Sequence, residues 1–196
     1  MSQLALVEAV LKSFVLLYII MDPFASVPLF LSLTRSFKPK EVLRSADNAV
    51  IVAGALLFTF LFFGNSILSV FDVSFSSFQV AGGIILLLMA LEIVIGLRLV
   101  EKSAKKIHTA IVIIGTPLLT GPGVITTVII LNKDYGLVPV LFGSIAALVA
   151  AWLILRNATR IQALLGESTV EAISKIIGLL LAATAVEMIR RGLLGV

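Results

Sequence analysis

Hydrophobic and polar positions along this chain alternate on the scale of whole helices. Uncharged runs cover 49–71, 73–91, 109–132 and 135–155. At about 1.5 Å per residue each is long enough to cross a hydrocarbon core of about 30 Å. A fifth apolar run, 13–34, carries one charge at its middle, Asp22, and a sixth, 176 to about 189, carries Glu187 near its end. The pattern predicts an all-α integral membrane protein of six transmembrane helices joined by short loops, a single membrane domain over 1–196. The start, Met1-Ser2-Gln3-Leu4, has no basic cluster, and Glu8 and Lys12 interrupt the apolar residues after it, which argues against a cleaved signal peptide.

Six crossings create two sets of loops, and the basic residues fall unequally between them. Arg35, Lys38, Lys40, Arg44, Arg98, Lys102, Lys105, Lys106, Arg156, Arg160 and Lys175 lie on one side; Lys12, Lys133, Arg190 and Arg191 lie on the other. Because cytoplasmic loops carry the excess of Lys and Arg, both termini are expected outside and the three basic loops inside, in a multi-pass plasma-membrane protein.

Proline adds an internal repeat. Four of the six prolines stand in two segments of equal spacing, Pro23-Phe24-Ala25-Ser26-Val27-Pro28 and Pro117-Leu118-Leu119-Thr120-Gly121-Pro122. At an offset of 94, Ser26 meets Thr120 and Ser32 meets Thr126; with a slip of one, 83–92 also matches 178–187, each running from glycine to glutamate. Three crossings is an odd number, so a second copy enters the membrane from the opposite side, and the repeats, about 4–100 and about 105–196, are expected to be inverted. A proline inside a helix removes an amide donor and clashes with the preceding turn, so the first and fourth helices should break at these motifs. Irregular backbone at membrane depth survives only where protein buries it or where it lines a wet cavity. Pro28 and Pro122 are each expected to open a second half-helix, whose first amides suit an anion.

Composition narrows the chemistry. Of 196 residues 60% are hydrophobic and 13% charged, about half the charged share of a soluble domain. Mean hydropathy is +1.17, and at this length no soluble catalytic domain is expected beside the membrane one. Cysteine is absent and the single histidine, His108, sits among lysines, so neither a thiolate nor a zinc or haem site is expected. The net charge of +4 is read as basic loops meeting anionic lipid rather than nucleic acid.

Within the apolar runs Asp22 stands out. It lies nine residues after Ser13, near the bilayer midplane, where an ionisable group costs about 2.5–3.5 kcal/mol to insert. It could remain protonated, hold a cation, receive a substrate ammonium, or simply cap a half-helix opened by Pro23. Glu187 is four residues before Arg191, the spacing of a helical ion pair, and Glu92 is close enough to its basic loop to snorkel, so neither is chosen as a site. Ser26, Ser32, Thr120, Thr126 and Thr127 cluster around the two breaks and could bond a ligand or a freed carbonyl. Gly121 and Gly123 would admit either a ligand or a neighbouring helix.

Three segments, Asp22 through Thr34, Ala81-Gly82-Gly83-Ile84 leading to Ala90-Leu91-Glu92, and Thr116 through Gly123, resemble the MarC family, whose characterised members are similar to small-neutral-amino-acid transporters of the SnatA type. The family pattern usually has a glycine two residues after the first proline, where this chain has Ala25. The resemblance implies a proton- or sodium-driven carrier of glycine, alanine or similar amino acids, with six helices in inverted repeats. The two proline motifs then nominate a substrate site of Asp22, Pro23, Phe24, Ala25 and Ser26 with Thr116, Pro117, Leu119, Thr120, Gly121 and Gly123, Asp22 also being the candidate for the coupling ion.

Other classes fit less well. A passive channel needs a continuous polar stripe, which the uncharged second, third and fifth runs do not supply. A membrane enzyme needs a nucleophile with its base, and a primary pump needs a Gly-x-x-x-x-Gly-Lys loop; the sequence has neither. An exporter of amino acids or drugs with the same fold, or a purely structural membrane protein, remains as the alternative. Neither metal nor cofactor is expected.

Overall fold

A computed structural model describes residues 3–95 and 119–195. Those residues form eight helices: α1 (Gln3–Met21), α2 (Pro23–Leu33), α3 (Pro39–Val70), α4 (Phe75–Ile95), α5 (Pro122–Tyr135), α6 (Leu137–Arg156), α7 (Ala158–Leu165) and α8 (Glu167–Leu194). Among the described residues five stretches are long and apolar enough to cross a membrane: Gln3–Val27, Pro39–Val70, Phe75–Ile95, Leu137–Arg156 and Ser168–Leu194. This is a helical integral membrane protein. The fourth expected crossing, 109–132, begins outside the described residues; its described part is α5.

The helices overrun the uncharged runs that announced them. The first starts at Gln3 rather than Ser13, and its early charges pair along its surface, Lys12 to Glu8 at 2.7 Å. α3 starts at Pro39, ten residues before its uncharged run, with proline in the first turn and the Lys38 amide donating to Glu41 Oε2 at 2.7 Å. Its 32 residues span about 48 Å, more than the hydrocarbon core needs. α8 likewise begins at Glu167 rather than 176, carrying an exposed Glu171–Lys175 pair at 2.8 Å. Charge marks where the membrane ends; the backbone ladder continues into the interface.

The first break falls five residues earlier than the expected opening at Pro28. α1 stops at Met21, α2 opens at Pro23, and Pro28 lies inside α2. A proline disfavours helical dihedrals in the residue before it, and Asp22 accordingly sits at φ 36°, ψ 66°. Aspartate is among the few residues that visit this left-handed region readily. The expected opening of a helix at Pro122 is found, with Gly121 as the cap of α5; the segment that would precede this second break lies outside the described residues.

The longest helix contact is between α4 and α8; α1 packs along α6, α3 touches α5 and α6, and α1 packs on α5. Small residues permit the close approaches. A Cβ on Gly83 would lie 2.9 Å from the Ala185 carbonyl, and one on Gly143 would lie 2.6 Å from Ser13 Cβ. In lipid, where apolar burial does not drive helices together, such backbone-to-backbone packing is a main source of association. The short α7, between Asn157 and Gly166 (φ 78°), was not anticipated; it packs against α2 and α8.

Candidate functional site

Asp22 belongs to two helices at once. Its amide donates to the Tyr18 and Ile19 carbonyls, both at 3.2 Å, closing α1, and its own carbonyl accepts from the Ser26 amide at 3.3 Å and Ser26 Oγ at 3.1 Å, opening α2. Oδ1 accepts from the Ala25 amide at 3.1 Å, an N-cap. Oδ2 is buried with no hydrogen-bond partner among the described residues, and the whole residue is 4% exposed. An unsatisfied buried acceptor costs about 1–3 kcal/mol, and more when charged. Left-handed backbone and an orphaned carboxylate oxygen thus meet in one residue, which makes it the candidate site.

Around it Pro23 and Ser26 are buried and Phe24 and Ala25 are half-buried. Ala25 stands inside the first turn of α2, at helical dihedrals that need no glycine. The Ser26 hydroxyl is spent on its own helix, as are those of Thr34, Ser45 and Ser174, each donating to the carbonyl four residues before it. Ser13 and Ser144 differ: both hydroxyls are buried and unpartnered among the described residues, at the α1–α6 contact.

The second break is built of backbone. Leu119, Thr120, Gly121 and Gly123 are buried, while Thr116 and Pro117 lie outside the described residues. Thr120 Oγ1 reaches across to the Ala53 carbonyl of α3 at 3.0 Å, and Asn132 Nδ2 to the Leu61 carbonyl at 3.1 Å, so α5 is fastened to α3 at both ends. A Cβ on Gly123 would lie 2.7 Å from Leu86 Cδ1, so this glycine serves helix packing. Thr126, buried, lies against Gly82, and Thr127 is also buried. No side chain caps the first turn of α5, in contrast to α2. Because α1 packs on α5, the Asp22 break and the start of α5 belong to neighbouring helices.

Glu187 is paired with Arg191 at 2.8 Å, the ion pair its spacing predicts, and also with Arg190 at 2.7 Å. Glu92 is half-buried at the end of α4. One polar cluster went unforeseen: Asp47 Oδ1 accepts from Trp152 Nε1 at 2.7 Å and from Arg156 Nη1 at 2.8 Å, and the Arg156 guanidinium lies 5.0 Å from the Trp152 ring centroid. Its local signal was the chain's one tryptophan a helical turn before an arginine.

The sequence model of the MarC family integral membrane proteins matches residues 7–196. The chain belongs to the MarC family. It is 34% identical over 190 residues to a UPF0056 membrane protein of Methanocaldococcus jannaschii, covering 91% of this chain and 93% of that one. A UPF0056 membrane protein of Archaeoglobus fulgidus is 35% identical over 192 residues, covering 92% and 90%. The UPF0056 inner membrane protein YhgN of Escherichia coli is 29% identical over 191 residues, covering 94% and 95%. No solved structure matches this MarC chain.

Proposed function

We propose that this MarC protein is a secondary active transporter of small neutral amino acids such as glycine and alanine, coupled to protons or sodium, and working by alternating access around the breaks at Asp22 and Gly121. The observation that carries the proposal is the buried, unpartnered Oδ2 of Asp22 at a discontinuous transmembrane helix. Broken helices holding a substrate near the midplane are a recurring transporter device. The two breaks differ in a way that suits a zwitterion. Asp22 puts a carboxylate where an ammonium or cation is wanted; in the uncapped first turn of α5 Pro122 has no amide hydrogen and the Val124 and Ile125 amides donate to the Gly121 carbonyl, so the Gly123 amide is the donor left for a substrate carboxylate. The site so read comprises Asp22, Pro23, Phe24, Ala25 and Ser26 with Thr116, Pro117, Leu119, Thr120, Gly121 and Gly123. Import and export both remain available to it.

Two inverted three-helix repeats are part of the proposal, and the packing supports them. A Cβ on Gly83 would lie 2.8 Å from Ile189 Cγ1, and one on Gly178 would lie 3.0 Å from Val94 Cγ2. At an offset of 95 each contact is the other's image. Likewise α2 packs on α8 while α5 packs on α4, the exchange that a two-fold axis in the membrane plane would produce. The basic excess at 35–44 and 156–160 supports a cytoplasmic position for that end, with both termini outside the plasma membrane.

The test is uptake of labelled glycine and alanine into proteoliposomes under imposed proton and sodium gradients. Accumulation that follows one gradient and collapses with an ionophore is expected; no accumulation and no exchange of either amino acid in reconstituted, folded protein would refute the proposal.

A further inference from the structure

We infer that Asp47, Trp152 and Arg156 form a one-sided latch that holds one end of the α3–α6 pair closed, making them gating residues of the proposed transport cycle. The inference rests on the transport reading above and on three features of that helix pair.

The first is where the helices cross. A Cβ on Gly54 of α3 would lie 3.3 Å from Leu148 Cδ1 of α6. At the repeat offset of 94, Gly54 and Leu148 correspond to each other. Their contact therefore maps onto itself, and the two ends of the α3–α6 pair are corresponding halves of one structure.

The second is that those halves carry different chemistry. The same offset takes Asp47 to Leu141, Trp152 to Phe58 and Arg156 to Phe62. At one end, about 10–12 Å along the axes from the crossing, a carboxylate holds an indole N–H and a guanidinium through a single oxygen, at 2.7 and 2.8 Å. At the other end the corresponding positions are apolar, with the Phe58 and Phe62 rings 6.4 Å apart. Apolar side chains slide past one another with little angular preference, whereas a hydrogen-bonded cluster lets go in one step.

The third is how the cluster is assembled. Trp152 and Arg156 are one turn apart on α6, stacked on each other and aimed at the same oxygen on α3. Arg156 is the last residue of α6, where a cation complements the helix dipole. The side chains of Arg156 and Asp47 are 38% and 37% exposed, so water reaches the pair and can replace it when the helices part. A pair of this exposure biases an equilibrium by about two- to fivefold, enough to set a resting state without locking it.

The experiment uses the absence of cysteine. With Ala25→Cys as reporter beside the Asp22 break, alkylation by a membrane-impermeant maleimide is timed from each face of oriented, sealed vesicles. Asp47→Asn and Arg156→Gln should each speed labelling from the face bearing residues 34–38 by about two- to fivefold and slow it from the other. The reciprocal exchange, Asp47→Arg with Arg156→Asp, should return both rates toward the parent. Labelling from both faces of the parent, with rates unmoved by either single substitution in protein that elutes like the parent, would overturn the latch and leave alternating access standing. A reporter that reacts from one face only, in every variant, would remove alternating access and the latch together.

Discussion

Replacing Asp22 separates its structural duties from its charge. The residue does three things: it holds a left-handed backbone at φ 36°, it caps α2 through Oδ1, and it presents the orphaned Oδ2. Asparagine keeps the first two, since its amide oxygen can accept from the Ala25 amide and it tolerates the same dihedrals, so Asp22→Asn should stay within about 0.5 kcal/mol of the parent. Glycine relieves the backbone and loses only a few tenths as a cap, so Asp22→Gly should stay within about 1 kcal/mol. Alanine loses the cap, about 1 kcal/mol, and the local side-chain bonding by which aspartate offsets a left-handed cost of about 1–2 kcal/mol, giving a loss of about 2–3 kcal/mol. At about 2–4 °C per kcal/mol for a chain of this size, Asp22→Ala alone should lower the apparent unfolding midpoint in detergent clearly.

Transport should follow a different order. All three variants lack the carboxylate, so all three should lose gradient-driven accumulation, including the well-folded Asp22→Asn. Exchange of internal for external substrate then distinguishes the roles: it survives in Asp22→Asn if the carboxylate carries the coupling proton, and fails if it binds the substrate ammonium. Parent-like accumulation and substrate affinity in Asp22→Asn would show that the residue is a cap and nothing more.

Further expectations can be checked in parallel. Gly83→Ala brings a Cβ 2.9 Å from the backbone carbonyl of Ala185, whereas Gly178→Ala meets side-chain methyls of Ile93 and Val94 at 2.9–3.0 Å. The former should cost about 1–3 kcal/mol in thermal unfolding and the latter clearly less, and equal losses would contradict the packing. Thr120→Val removes the buried bond to the Ala53 carbonyl and should cost about 0.5–1.5 kcal/mol by the same assay. Cysteines at Lys38 and Lys105 should label only from the cytoplasm and one at Asn65 only from outside; reversed labelling would invert the assigned orientation. Bulky or strongly charged amino acids should compete with labelled alanine far less well than glycine does, and equal competition would exclude a small zwitterion site.

The crossings were legible because lipid excludes charge and leaves long uncharged runs, but their ends were not. Glu171 and Lys175 interrupt hydropathy without interrupting the helix, since they pair along its surface, and Glu41 does so in the first turn of α3, where it accepts from the Lys38 amide. The first break was legible as a proline motif and misplaced within it. Pro23, in the first turn of α2, needs no amide hydrogen, and Asp22 before it both tolerates the turn and caps the next helix, so the break settles there and Pro28 is carried inside α2. Asp47 and Trp152 are 105 residues apart, and no local pattern announces a bond between them. Only the crossing of α3 and α6 brings them together.

The repeat predicts positions better than it predicts bonds. Ser26 and Thr120 correspond in sequence, yet Ser26 donates to its own helix through the Asp22 carbonyl and Thr120 donates across to Ala53 of α3. Asp22 fills the cap of α2 with a carboxylate, while α5 begins after a glycine with no side-chain cap at all. A symmetric site would recognise two like groups. Under the proposed transport reading, one with a negative side chain at Asp22 and an uncapped helix N-terminus at Gly121 would recognise two unlike groups, as the ammonium and carboxylate of an amino acid are.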